Sequence, residues 1–139
     1  RKAYEDGLAI AQELRARDPN NTDWLRDLSV SYDRLGDVSV KEGNLPAARK
    51  AYEDGLAIAQ ELRARDPNNM TWAQDVAISY AKLAMVVEQT NDRAAACAFW
   101  REAAAILAAL SAAAPTHAAL RAQAEDSARQ VQRLCGAAE

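Results

Sequence analysis

Apolar residues recur along this chain at intervals of three and four, the spacing that gathers them on one side of an α-helix. Trp24, Leu28, Tyr32, Leu35 and Val38 follow this spacing, as do Ala48, Tyr52, Leu56, Ala59 and Leu62. Polar and turn-forming residues interrupt it at two kinds of place. Gly43-Asn44 and Thr90-Asn91-Asp92 read as short turns, whereas Asp18-Pro19-Asn20-Asn21, Asp66-Pro67-Asn68-Asn69 and Pro115-Thr116 read as stronger breaks. The pattern predicts an all-α fold of about six helices, at 1–17, 23–42, 45–65, 71–89, 93–113 and 117–134. Opposite charges four apart, such as Lys50 with Asp54 and Glu61 with Arg65, fall on the wet sides of these helices.

The pattern repeats. Residues 1–21, RKAYEDGLAIAQELRARDPNN, recur unchanged at 49–69, a period of 48. At the same offset Trp24, Asp27, Ser31, Tyr32 and Leu35 meet Trp72, Asp75, Ser79, Tyr80 and Leu83. A weaker third copy aligns Ala48, Tyr52 and Pro67 with Ala96, Trp100 and Pro115. Each unit is a pair of helices too small to bury its own apolar side, so neighbouring pairs must stack into an array. The expected divisions are 1–21 as the second helix of a truncated unit, 22–69 as a full unit, 70–117 as a decayed unit and 118–139 as a capping helix. On this reading helix 1–17 lacks its pair-mate, some of Tyr4, Leu8, Ala11 and Leu14 are exposed, and the chain is the C-terminal part of a longer array.

Composition narrows the class of function. The 139 residues carry 17 basic and 20 acidic side chains without a block of one sign, which disfavours nucleic acid as a partner. No apolar run approaches the roughly 18 residues that cross a bilayer, and no leader opens the chain. Cys97 and Cys135 lie 38 residues apart with no CxxC pair, which reads as two free thiols in a reducing cytoplasm. The one histidine, His117, follows Pro115 with no partner at ligand spacing. Glu5 with Asp6 and Glu53 with Asp54 are adjacent on helices and point about 100° apart, so neither couple works as a catalytic pair. These residues predict no enzyme, no metal and no cofactor. Gly7 and Gly55 fall mid-helix, where glycine is unfavourable, and their expected use is close helix approach, since Ala103 fills the third copy.

Tyr32-x-x-Leu35-Gly36, then Ala48-x-x-x-Tyr52 and a proline, resembles the pattern of the tetratricopeptide repeat (TPR) family. Tyr80-x-x-Leu83-Ala84, Ala96-x-x-x-Trp100 and Pro115 resemble it again, with the same twelve-residue step from Gly36 to Ala48 and from Ala84 to Ala96. The unit departs from the family's 34 residues by seven in each helix, about two turns. Long units of this kind are similar to bacterial tandem arrays. The resemblance implies an α-solenoid of antiparallel helix pairs, a right-handed superhelix whose concave groove is lined by the first helix of each pair. It implies a protein-interaction module that takes a peptide or helical segment of a partner.

Mapped residue by residue, the implied groove positions are Val30, Asp33, Arg34, Asp37, Val40 and Lys41, then Ile78, Ala81, Lys82, Met85, Glu88 and Gln89. The longer helices add Asp23, Arg26, Asp27, Thr71, Gln74 and Asp75. Six acids against four bases over these positions favour a basic or amphipathic protein or peptide partner. Asp33, Asp37, Ala81 and Met85 stand where the family's carboxylate clamp needs lysine and asparagine, which disfavours a chaperone-tail receptor. The tryptophans and tyrosines occupy packing positions and read as core. The alternative reading is a structural element that self-associates end to end through the uncovered N-terminal helix.

Overall fold

The computed structural model describes residues 2–136. Among the described residues there are six α-helices and no strand: α1 (Lys2–Arg17), α2 (Thr22–Lys41), α3 (Leu45–Arg65), α4 (Met70–Gln89), α5 (Arg93–Ala113) and α6 (Ala118–Cys135). The chain is all-α, and each helix falls within a residue or so of the span its apolar periodicity predicts. Side-chain caps account for this agreement. Asn21, Asn44, Asn69 and Asp92 each accept from the backbone N–H three residues on, satisfying a donor that the first turn leaves open. His117 caps α6 in the same way, its Nδ1 accepting from the Leu120 N–H at 3.2 Å. The inner turns repeat as well. Gly43 (φ 77°) and Asn91 (φ 65°) occupy the left-handed region at matching places, and the amides after them close back on Ser39 and Val87.

The helices form two compact units, Arg1–Pro67 and Asn68–Glu139. In the first, α2 lies between α1 and α3. Buried Leu25, Leu28, Ala48, Tyr52, Ala59 and Leu62 supply its apolar core. Two glycines set how closely α2 and α3 approach. A Cβ on Gly36 would stand 2.4 Å from the Tyr52 ring, and one on Gly55 would stand 2.6 Å from Asp33 Oδ1. Ser29 Oγ donates to the Gly55 carbonyl at 3.1 Å across the same contact. The expectation for Gly7 is corrected: nothing lies within 4 Å of the place its Cβ would take, because α1 turns that side away from α2.

In the second unit α5 lies between α4 and α6. Its core joins Ala84, Val87, Ala96, Trp100, Ala103, Leu134 and Cys135, with Tyr80 and Phe99 packed against it at a ring separation of 6.1 Å. One expectation is overturned here. Cys97 and Cys135 are a disulfide, not free thiols. Each lies 19 residues from Thr116 at the turn, so the antiparallel run of α5 and α6 brings them level, with Cα atoms 5.5 Å apart. Helix α5 is long and apolar enough to cross a membrane by length and composition alone, a test that the core helix of a soluble protein also passes, and Arg101-Glu102 interrupt its apolar run. Ala96 and Ala103, both fully buried, are the alanines at which its neighbours approach closely; most of the others are exposed.

Candidate functional site

Within the second unit, α4 and α6 stand on either side of α5 and leave a cavity of about 480 Å³ between them. Ala77, Ile78, Ala81, Lys82, Met85 and Glu88 line the α4 wall, and Gln123, Asp126, Ser127, Gln130 and Arg133 the α6 wall, with Trp100 and Leu107 of α5 as the floor. Ile78 and Met85 are among the few large apolar side chains left exposed, and they sit two turns apart on the α4 wall. An apolar floor with polar groups on both walls suits an amphipathic segment that lays its nonpolar side inward.

The α6 wall is fastened at its C-terminal end. Arg133 grips Glu88 with two hydrogen bonds, at 2.6 and 2.8 Å, and this holds the Glu88 carboxyl below the usual carboxylate range. From the start of α5, Arg93 donates to the backbone carbonyls of Leu134 (3.1 Å) and Arg133 (2.6 Å), which closes the end of α6. The disulfide lies beside them. Nearer the other end, Gln74 donates to Gln123 at 2.8 Å.

Of the positions read as groove from the sequence, Ile78, Ala81, Lys82, Met85 and Glu88 come together in this cavity, and Gln74 ties its walls. Gln89 is exposed at the end of α4, Thr71 is exposed near its start, and Asp75 is half-buried. The set on α2 has another setting. Asp37 accepts a hydrogen bond from the Tyr52 hydroxyl, and Asp33 stands against Gly55. Burial first, and the bond to Asp37 second, hold the Tyr52 phenol well above its ordinary range. Val30 and Val40 are half-buried, while Arg34, Lys41, Asp23, Arg26 and Asp27 are exposed. The acidic lean thus sits on α2, whereas the cavity sets Lys82 and Arg133 against Glu88 and Asp126.

Sequence reasoning missed the α6 wall and the floor. Asp126, Gln130 and Arg133 are the 48-residue counterparts of Ile78, Lys82 and Met85, so the offset that located the α4 wall would also have located them. No family model and no curated protein matches the chain.

Proposed function

We propose that the chain is a protein-interaction module, a TPR-like solenoid segment that receives a helical or extended segment of a partner against the α4–α6 cavity. The observation that supports this is the apolar floor and the exposed Ile78 and Met85, set between two walls held by side-chain contacts. A preformed cleft leaves most of the ordering cost with the ligand. The balance of charge around the cavity, Lys82 and Arg133 with Glu88 and Asp126, favours an amphipathic segment over a purely basic one. No catalytic step, cofactor, nucleic acid or membrane enters this reading.

Selection of displayed helical peptides against the whole chain tests it. Amphipathic peptides should be enriched, and their binding should be lost with Met85→Glu, a change at an exposed position. Peptides indifferent to Met85→Glu would overturn the assignment. A second reading, self-association end to end through α1, draws on the exposure of Tyr4 and Ile10. The disulfide bears on location: a reducing cytoplasm would keep Cys97 and Cys135 as thiols, so it favours an oxidising setting over the cytoplasmic one expected from sequence.

A further inference from the structure

Residues 1–21 and 49–69 are the same string, yet the two copies are covered differently. In α3, Tyr52 is 4% exposed and donates its hydroxyl to Asp37 of α2, and Gly55 lies beneath Asp33 and accepts from Ser29. In α1 the counterparts are Tyr4, 42% exposed, and Gly7, with open space where its Cβ would be. Ile10 is likewise 59% exposed where Ile58 is 6%. Helix α1 meets its own unit with another side: Gln12 donates to the Tyr32 hydroxyl at 2.9 Å, and Arg15 pairs with Glu61 at 2.8 Å.

Gly7 is therefore a helix-weakening residue that no neighbour in the structure requires. Its twin shows what would require it. We propose that the bare side of α1 is a docking face for a helix with the chemistry of α2. Such a helix sets a glycine against the ring of Tyr4, as Gly36 stands against Tyr52. It places one carboxylate to accept from the Tyr4 hydroxyl, a second over Gly7, and a serine hydroxyl against the Gly7 carbonyl. In α2 these groups are Asp37, Asp33 and Ser29. Because α1 and α3 are identical over this stretch, a face that fits α2 in one fits the same pattern in the other. This surface is separate from the α4–α6 cavity, and the inference does not rest on the function proposed for that cavity.

The test uses the whole chain and a fluorescent peptide of residues 21–44, followed by anisotropy. Saturable one-to-one binding is expected. Gly7→Ala should weaken it by at least about tenfold, because the added methyl occupies the place of the carboxylate. The same change should leave the thermal midpoint unchanged or higher, since alanine favours an exposed helix. Tyr4→Phe should weaken binding by a smaller factor. Absence of saturation up to about 1 mM peptide, or equal binding by Gly7→Ala, would overturn the proposal. So would dimers of the chain alone that Gly7→Ala dissolves without any peptide binding, because the occupant would then be a second copy.

Discussion

At the contact of α2 with α3, unit 1 interlocks polar groups with glycines: Ser29 bonds to the Gly55 carbonyl, Asp33 fits over Gly55, and Gly36 admits the Tyr52 ring. At the matching places of α4 and α5, unit 2 carries Ala77 with Ala103, Ala81, and Ala84 with Trp100. Five positions thus differ together, exchanging fitted polar pairs for a seam of methyl groups and one indole. Asp37 becomes Met85, and the acceptor that held the Tyr52 hydroxyl is replaced by an exposed thioether at the cavity. One pairing geometry is maintained by two chemistries, and the one that gives up its carboxylates acquires an apolar cleft.

The comparison can be pressed hardest at the position shared by Leu35 and Leu83. Leu83 is 1% exposed whereas Leu35 is half-buried, so Leu83→Ala should cost about 2–5 kcal/mol in denaturant unfolding and Leu35→Ala less. A loss below about 1 kcal/mol at Leu83 would refute the helix pairing of unit 2. Opening the disulfide comes next. Reduction should remove about 2–4 kcal/mol from unit 2, by freeing the unfolded chain between Cys97 and Cys135. Hydrogen exchange should quicken in α5 and α6 and not in α2; equal quickening in both units would mean they unfold as one.

A sharper test asks whether the two chemistries are interchangeable. Gly55→Ala should destabilise unit 1 by about 1–3 kcal/mol, because its methyl collides with the Asp33 carboxylate. Adding Asp33→Ala should recover most of that loss, since unit 2 carries alanine at both places; additive losses in the double-mutant cycle would show that the pairs are independent. The smallest effect concerns acid. The Glu88 carboxyl is held low by Arg133, so its contribution is complete above the ordinary carboxylate range and fades as pH falls through its lowered folded value. Solvent screens this exposed pair, and the acid loss should be modest and absent in Glu88→Gln, as thermal melts across pH would show.

The helices were legible in the sequence because α2 to α6 are each announced twice, by apolar spacing and by a capping residue at the start. The α4 wall was legible because the repeat carries a position from one unit to the next. What escaped were relations between residues far apart in sequence. Nothing in a 38-residue interval marks Cys97 and Cys135 as neighbours until the turn that folds α5 back along α6 is counted from both sides. Asp33 and Asp37 read as charges available to a partner, yet both carboxylates face the side chains and backbone of α3. His117, isolated among titratable groups, proves to be a helix cap. A polar residue's employment depends on what packs opposite it, which local spacing does not record.

The fastenings of α6 make it a beam held at both ends. The disulfide, the Arg93 clasp and the Arg133 grip secure its C-terminal end. The short turn from α5, buried Leu120 and the Gln74–Gln123 bond secure the other. Its 18 residues span about 27 Å, and a helix of that length tied at each end cannot swing about either. The spacing between α4 and α6 is therefore fixed along the whole cleft rather than at one point.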